Sequence, residues 1–341
     1  MKNRKLTSVL AGVMLAAVLM TGCSGKGLDG SQVAATVGDE EISLGLANFT
    51  ARIQQAQAET YYKAYFGDSM WSQDIGGMTY EESVKDSIMD MLKEYYIVRA
   101  HASEYGVALS EEEEQKIADA AAKFMSDNPE KTITQMTASE EVVRELLELI
   151  TIRSHVYNEV IKGADTEVSD EEAAQKKAEY VYVSTSSYLN EDGESTEYTE
   201  EEKEERVALA EDILAKAKET GDLTAAAEEQ ELSVSSATFG GDASTSLPED
   251  VASAADALKE GEFADVIETD AGCYVVRLIS EFDEEATASR KEEIISQRQS
   301  DFYTQTYEAW ESETEFVLNE KVWDKVNFDA PLTITTVETE E

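Results

Sequence analysis

The chain has 341 residues, 42% of them apolar, with only three prolines and 18 glycines, which excludes a disordered or fibrous polypeptide and leaves room for two compact units plus connectors. Its formal net charge is −45, a balance that repels phosphate backbones and excludes nucleic acid as an expected partner. The runs Glu111–Glu114 and Thr199–Glu205 carry much of this charge and read as solvated helix faces.

Residues 1–22 read as a leader: Lys2, Arg4 and Lys5 precede a weakly polar to apolar run from Leu6 to Met20, too short for a comfortable membrane-spanning helix. The run closes on Leu19-Met20-Thr21-Gly22-Cys23, which resembles the lipobox of bacterial lipoproteins. That resemblance implies a chain acylated at Cys23 and held through this lipid anchor at the outer face of the bacterial cell membrane. Residues 23–32 then form a flexible tether. Lipidation of Cys23 leaves Cys273 as the second cysteine of two, so no disulfide framework is expected.

Val33–Ser43 suggests a short hairpin turned at Gly38-Asp39-Glu40. Helical periodicity starts at Leu44 and aligns Leu46, Phe49, Ile53, Ala56 and Tyr61; a second helix aligns Val84, Ile88, Met91, Leu92, Tyr95 and Val98 and ends at Gly106. A third opens on Ser110 with Glu113 three residues on, a capping-box spacing, and stops before Pro129; a fourth spans about Ser139 to Gly163. Residues 33–173 are therefore expected to be a helical domain behind a strand pair. Its aromatics and methionines (Tyr61, Tyr62, Tyr65, Phe66, Met70, Trp71, Met78, Met89, Met91) read first as core, with a groove for varied peptides as the sharper alternative.

Residues 174–283 change period. Ala178–Val183 reads as a strand, followed by an acidic loop, a long helix to Gly221, a short helix from Leu223, a Gly/Ser-rich loop from Ser233 to Ser246, a helix from Pro248, and a final strand in "TDAGCYVVRL", Thr269–Leu278. Residues 284–341 are expected to be helical again through Phe328. The apolar face carrying Phe302, Tyr303, Tyr307, Trp310, Val322 and Trp323 needs cover and is expected to pack back on the first domain.

The chemistry of the usual hydrolytic, phosphoryl and redox sites is missing. His101 and His155 sit in separate helical patterns, too few for a zinc site or a nucleophile triad. Tyr188–Thr199 imitates a calcium loop around Gly193, but its first and twelfth positions are Tyr and Thr where a carboxylate is required. No metal and no cofactor is expected.

The order strand, long helix, short helix, Gly-rich loop, helix, "LKEGEF", turn and "GCYVV" strand resembles the parvulin-type peptidyl-prolyl cis-trans isomerase domain, most specifically over Phe239–Leu278. The flanking helical parts resemble those of PrsA-type and SurA-type foldases. The resemblance implies an α+β fold: a helical chaperone domain built from both chain ends, with the parvulin-like domain inserted. It also maps a site. Tyr180 and Tyr274 stand where the family carries histidines, Leu247 and Val251 match its pocket methionine and phenylalanine, and Ser233 falls near its acidic or cysteine position. Tyr180 and Tyr274 are expected on neighbouring strands, able to hydrogen-bond each other or a client carbonyl. Rotation about X–Pro breaks no covalent bond and needs no nucleophile, so an isomerase acting on unfolded or newly exported polypeptides is one expectation. A holdase without activity is another, and a solute-binding lipoprotein of a transporter a third, which the helical first half disfavours.

Overall fold

The computed structural model describes residues 27–190 and 193–332. The leader 1–22, Cys23 with the start of the tether, and the last residues of the 284–341 segment lie outside the described residues. The chain divides into two compact units, Met1–Ala164 with Ser300–Glu341, and Asp165–Gln299. Residues 165–173 belong with the second unit because they are tied to its last helix: Arg298 Nη1 donates to the Glu167 carbonyl at 3.0 Å, and Lys291 pairs with Asp170.

The first unit runs β1 (Val33–Val37), β2 (Glu40–Ser43), α1 (Leu44–Phe66), α2 (Tyr80–His101), α3 (Glu111–Asp127), α4 (Glu130–Met136) and α5 (Glu140–Val160). The second runs α6 (Asp170–Ala173), β3 (Lys176–Ser184), β4 (Ser187–Leu189), β5 (Ser195–Glu197), α7 (Glu200–Thr220), α8 (Leu223–Glu228), β6 (Ser235–Phe239), α9 (Glu249–Asp256), β7 (Ile267–Glu268) and β8 (Gly272–Ser280). After it come α10 (Glu284–Glu313), β9 (Phe316–Leu318) and α11 (Glu320–Trp323).

The helices of the first unit start where hydroxyl side chains satisfy free amides. Ser43 caps α1, Ser139 caps α5, and Thr79 with Glu82 and Ser110 with Glu113 complete reciprocal capping boxes at α2 and α3. The Ser110 amide and hydroxyl hold the Glu113 carboxyl below its usual range. The apolar stripes meet in one core in which Phe49 packs edge-on against Phe124 at 5.3 Å and Leu46, Leu92 and Leu149 are fully buried. Burial of each such side chain is worth about 1.5–3 kcal/mol.

The tail enters this core by a route that periodicity hid. Instead of continuing as helix to Phe328, it leaves α10 and forms β9, which pairs antiparallel with β1, Ala35 opposite Leu318 and Val37 opposite Phe316. The sheet order is β2-β1-β9. Tyr303, Trp310, Trp323, Val326, Phe328 and Leu332 are buried in the same core.

The expected aromatic and methionine core splits in two. Met70 and Met89 are buried, but Tyr61, Tyr62, Tyr65, Phe66 and Met78 are exposed, Tyr65 at 83%. The buried residues of α1 end at Glu59, so the last turns of the helix overshoot the core and carry their rings into solvent.

The second unit is a four-stranded antiparallel sheet of order β6-β3-β8-β7, with β4 and β5 as a separate hairpin. Thr199 and Glu202 cap α7, which packs with α8 over one face of the sheet through Ile213, Leu214, Ala217 and Leu223; α9 packs over the other through Val251 and Ala255. The expected Gly/Ser-rich loop from Ser233 contains β6, whose Ala237 and Phe239 are buried. The serines that open β6 carry no strand signal of their own, and pairing along β3 supplies the stability. Gly240, which follows β6, is required by close approach: a Cβ there would stand 2.3 Å from the Ala174 carbonyl oxygen.

Candidate functional site

Strand alternation builds the site. In the β3–β8 pair Tyr182 lies opposite Tyr274 and Tyr180 opposite Val276, so Tyr180, Tyr182, Tyr274 and Val276 share one face, while Val181, Val183, Cys273 and Val275 share the other. Tyr180, Tyr182 and Tyr274 form a continuous ladder, with ring centroids 5.8 Å apart between Tyr180 and Tyr274 and 5.0 Å between Tyr182 and Tyr274, both tilted. Two of these rings are half-buried and Tyr182 is exposed.

The ladder is anchored at its open end. The Tyr182 hydroxyl donates to the Ala271 carbonyl at 2.7 Å, and the Thr185 amide donates to the same oxygen at 3.2 Å. The turn Thr269–Gly272 closes on itself through Thr269, whose hydroxyl donates to the Gly272 carbonyl at 2.8 Å. Gly272 is fixed by crowding: a Cβ there would stand 2.4 Å from the Val183 carbonyl oxygen and 2.7 Å from the Tyr182 ring. Burial, and then the neighbouring Tyr182 and Tyr180, push Tyr274 above the usual phenol range. Its hydroxyl, like any phenol at neutral pH, is a proton donor.

Tyr180, Tyr274, Leu247 and Val251 come together in one apolar cluster. Their exposures differ: Leu247, just before α9, is 5% and Val251, on the sheet-facing side of α9, 0% exposed, so they are closed against the sheet and the tyrosine rings form the accessible surface. Tyr180 and Tyr274 meet through their rings, and no hydrogen bond joins their hydroxyls among the described residues. Ser233 is exposed and lies two residues before β6. The serine directly opposite Tyr180, on its face, is Ser235.

Sequence reasoning thus missed Tyr182 and Ser235. Tyr182 was recoverable, since a residue two positions from Tyr180 on one strand must share its face. Ser235 required knowing that a serine-rich stretch is a strand with a fixed register.

Cys273 is 1% exposed among Val181, Val183, Ile213 and Val275 on the closed face, and burial, then Glu268 and Glu211, push its thiol up. His101 stacks flat on Trp310 at 4.5 Å, and His155 reaches Glu113 at 3.2 Å. Among the described residues no three His, Cys, Asp or Glu side chains are grouped to hold a metal ion.

A second surface belongs to the first unit. The overshooting end of α1 and the loop after it form an open groove of about 370 Å³ lined by Tyr62, Phe66, Met70, Gln73, Ile75 and Tyr80.

Residues 184–289 match the family of PPIC-type PPIase domains, and the chain carries a domain of that family. The match starts at the last residue of β3, so Tyr180 and Tyr182 precede it and Ser235, Leu247, Val251 and Tyr274 fall inside. Among solved structures the chain is similar to a SurA-like chaperone of Campylobacter jejuni, with 12% identity, 84% of this chain and 98% of that chain covered, and a TM-score of 0.29. It is also similar to the foldase PrsA of Streptococcus pneumoniae, with 20% identity, 76% and 98% covered and a TM-score of 0.31. PrsA of Bacillus subtilis is similar at 14% identity, with 87% and 94% covered and a TM-score of 0.24. No curated protein sequence matches the chain.

Proposed function

We propose that this chain is a lipid-anchored extracytoplasmic foldase, held through Cys23, that binds unfolded, newly exported polypeptides and acts on their X–Pro bonds at the tyrosine ladder of its PPIC-type domain. The observation that carries this reading is the ladder itself: three phenol rings lie accessible on one sheet face, beside the apolar Leu247 and Val251, which are closed against the sheet at the start of α9. A prolyl ring packs well on aromatic faces. The isomerisation barrier of about 18–20 kcal/mol falls if the enzyme favours the twisted amide, and this takes an apolar surface and a hydrogen-bond donor in place of a nucleophile. The Tyr274 phenol and Ser235 supply donors on that face. The exposed rings at the end of α1 offer contact for apolar segments of the same client.

A second reading, a holdase without isomerase activity, is favoured by one observation. Leu247 and Val251 are closed against the sheet at the start of α9, so proline has the tyrosine surface in place of a slot lined by them. A protease-coupled assay on a proline-containing peptide separates the two. The expected result is a rate above background that falls about ten-fold or more in Tyr274→Ala, within the range of general acid-base and positioning effects. Suppression of client aggregation with no rate above background at high protein concentration selects the holdase.

A further inference from the structure

The first unit holds an extended piece of its own chain in a manner suited to reading peptide backbone. From residue 326 to 332 the chain has neither helix nor strand, yet Phe328 and Leu332 are 3% and 0% exposed. The α1 side chains facing it are Arg52, Gln55 and Glu59, spaced along one side of the helix and 6%, 0% and 8% exposed. Charged and amide groups are costly to bury unless paired, and here Gln55 and Glu59 find partners in main-chain atoms of the segment, while Arg52 lies over the Phe328 ring. Gln55 Nε2 donates to the Ala330 carbonyl at 3.0 Å and to that of Phe328 at 3.4 Å, and Glu59 Oε2 accepts from the Leu332 amide at 2.9 Å. From α4, Gln135 Nε2 donates to the Ala330 carbonyl at 3.3 Å.

The polar side chains are themselves held in place. Glu59 Oε1 accepts from Gln55 Nε2 at 2.9 Å and from the Trp71 indole at 3.1 Å, and Arg52 Nη1 donates to Gln55 Oε1 at 2.6 Å. Side-chain specificity is loose by comparison: Phe328 leans on Trp71 at 4.4 Å, and a cavity of about 260 Å³ bordered by Glu59, Lys63, Met70, Trp71, Phe328 and Pro331 stays open beside it. Main-chain hydrogen bonds with apolar anchors four residues apart are the means by which proteins take up extended peptides of varied sequence. A segment serving only as core needs apolar cover, and two buried polar side chains of α1, Gln55 and Glu59, bonded to its backbone serve recognition instead.

We propose that residues 326–332 are a displaceable strap filling a peptide-binding groove of α1, and that an extended stretch of unfolded polypeptide with apolar residues four apart takes its place. This rests on the polypeptide-binding part of the proposed function and is independent of isomerisation. The occupied groove lowers apparent client affinity by the fraction of time the strap is seated, so weakening the strap alone raises it.

The test uses the full chain and a fluorescent peptide of residues 325–333. Phe328→Ala, which alters the strap and leaves Gln55 and Glu59 intact, is expected to bind the peptide at least ten-fold more tightly than the wild-type chain, and Phe328→Ala with Glu59→Ala to lose that gain. Equal binding by Phe328→Ala and wild type, with the circular dichroism and melting of a folded chain, overturns the proposal. If Phe328→Ala does not fold, hydrogen exchange on the wild-type chain decides. Saturating peptide is expected to speed exchange of the Leu332 amide at least ten-fold, and unchanged exchange overturns it. A wild-type chain that suppresses client aggregation while failing these tests loses the strap and keeps the polypeptide-binding function.

Discussion

The two faces of the four-stranded sheet are built from the same two strands and treated in opposite ways. On the closed face Val181, Val183, Cys273 and Val275 disappear under α7 and α8. On the other face Val276 and Leu278 are buried under α9, while Tyr180, Tyr182 and Tyr274 extend past its cover. Cys273 and Tyr274 are sequence neighbours with opposite fates: one fills the core and the other lines the candidate site. Adjacent positions on a strand are therefore independent in function, and each one's role follows from its parity and from how far the overlying helix reaches.

This contrast can be broken from either side. The largest effect is expected on the closed face, where Ile213→Ala on α7, at a residue 1% exposed, should cost about 2–5 kcal/mol through lost burial and a residual cavity. Urea unfolding measures it, and a midpoint unchanged from wild type would show that α7 does not close that face tightly. On the open face Tyr182→Phe removes the hydroxyl that anchors the ladder to Ala271 and should cost only about 0.5–1.5 kcal/mol. It should also bring the Tyr274 phenol closer to its ordinary titration range by loosening the ring packed beside it, as read by absorbance of the phenolate. A variant whose unfolding midpoint and phenol titration both match wild type would remove the anchor from the account.

The smallest effect concerns the neighbouring thiol. Because burial raises Cys273 in the folded chain, this group contributes stability that is complete at pH values below the ordinary thiol range and is lost as pH rises through the folded value. At pH 8 the thiol should stay protonated and covered, so alkylation by iodoacetamide is expected to be at least about 100-fold slower in the native chain than in urea, since only the exposed thiolate reacts. Comparable rates would mean that α7 and α8 open readily.

How much of this was legible in the sequence depended on whether an element carries its own signal. The periodic helices α2, α3 and α7 were readable, α3 with its cap at Ser110, and the PPIC-type domain from the spacing across Phe239–Leu278. β6 was not, because its Ser and Thr residues become a strand only beside β3, and β9 was not, because three residues inside a helical-looking tail give no period to detect. The site followed the same rule. That Tyr180 and Tyr274 lie on neighbouring strands was visible, whereas the place of Ser235 opposite Tyr180 depended on the register of the strand that the sequence concealed. The exposed rings of Tyr61, Tyr62, Tyr65 and Phe66 were hidden for another reason: helical spacing shows that a face is apolar and says nothing about where the core beneath it stops.

The pairing of β9 with β1 also sets an order of events during synthesis. The second unit is one uninterrupted stretch and has all its parts once residue 299 has been made. The first unit, although it begins the chain, lacks a sheet edge and the tail's share of its core until residues 316–332 arrive. Contacts so distant in sequence form late, after the loop between them has closed. The part of the molecule that emerges first from the ribosome is therefore the last to be finished, and a chain stopped short of Phe316 should hold a complete PPIC-type domain beside an unfinished helical one.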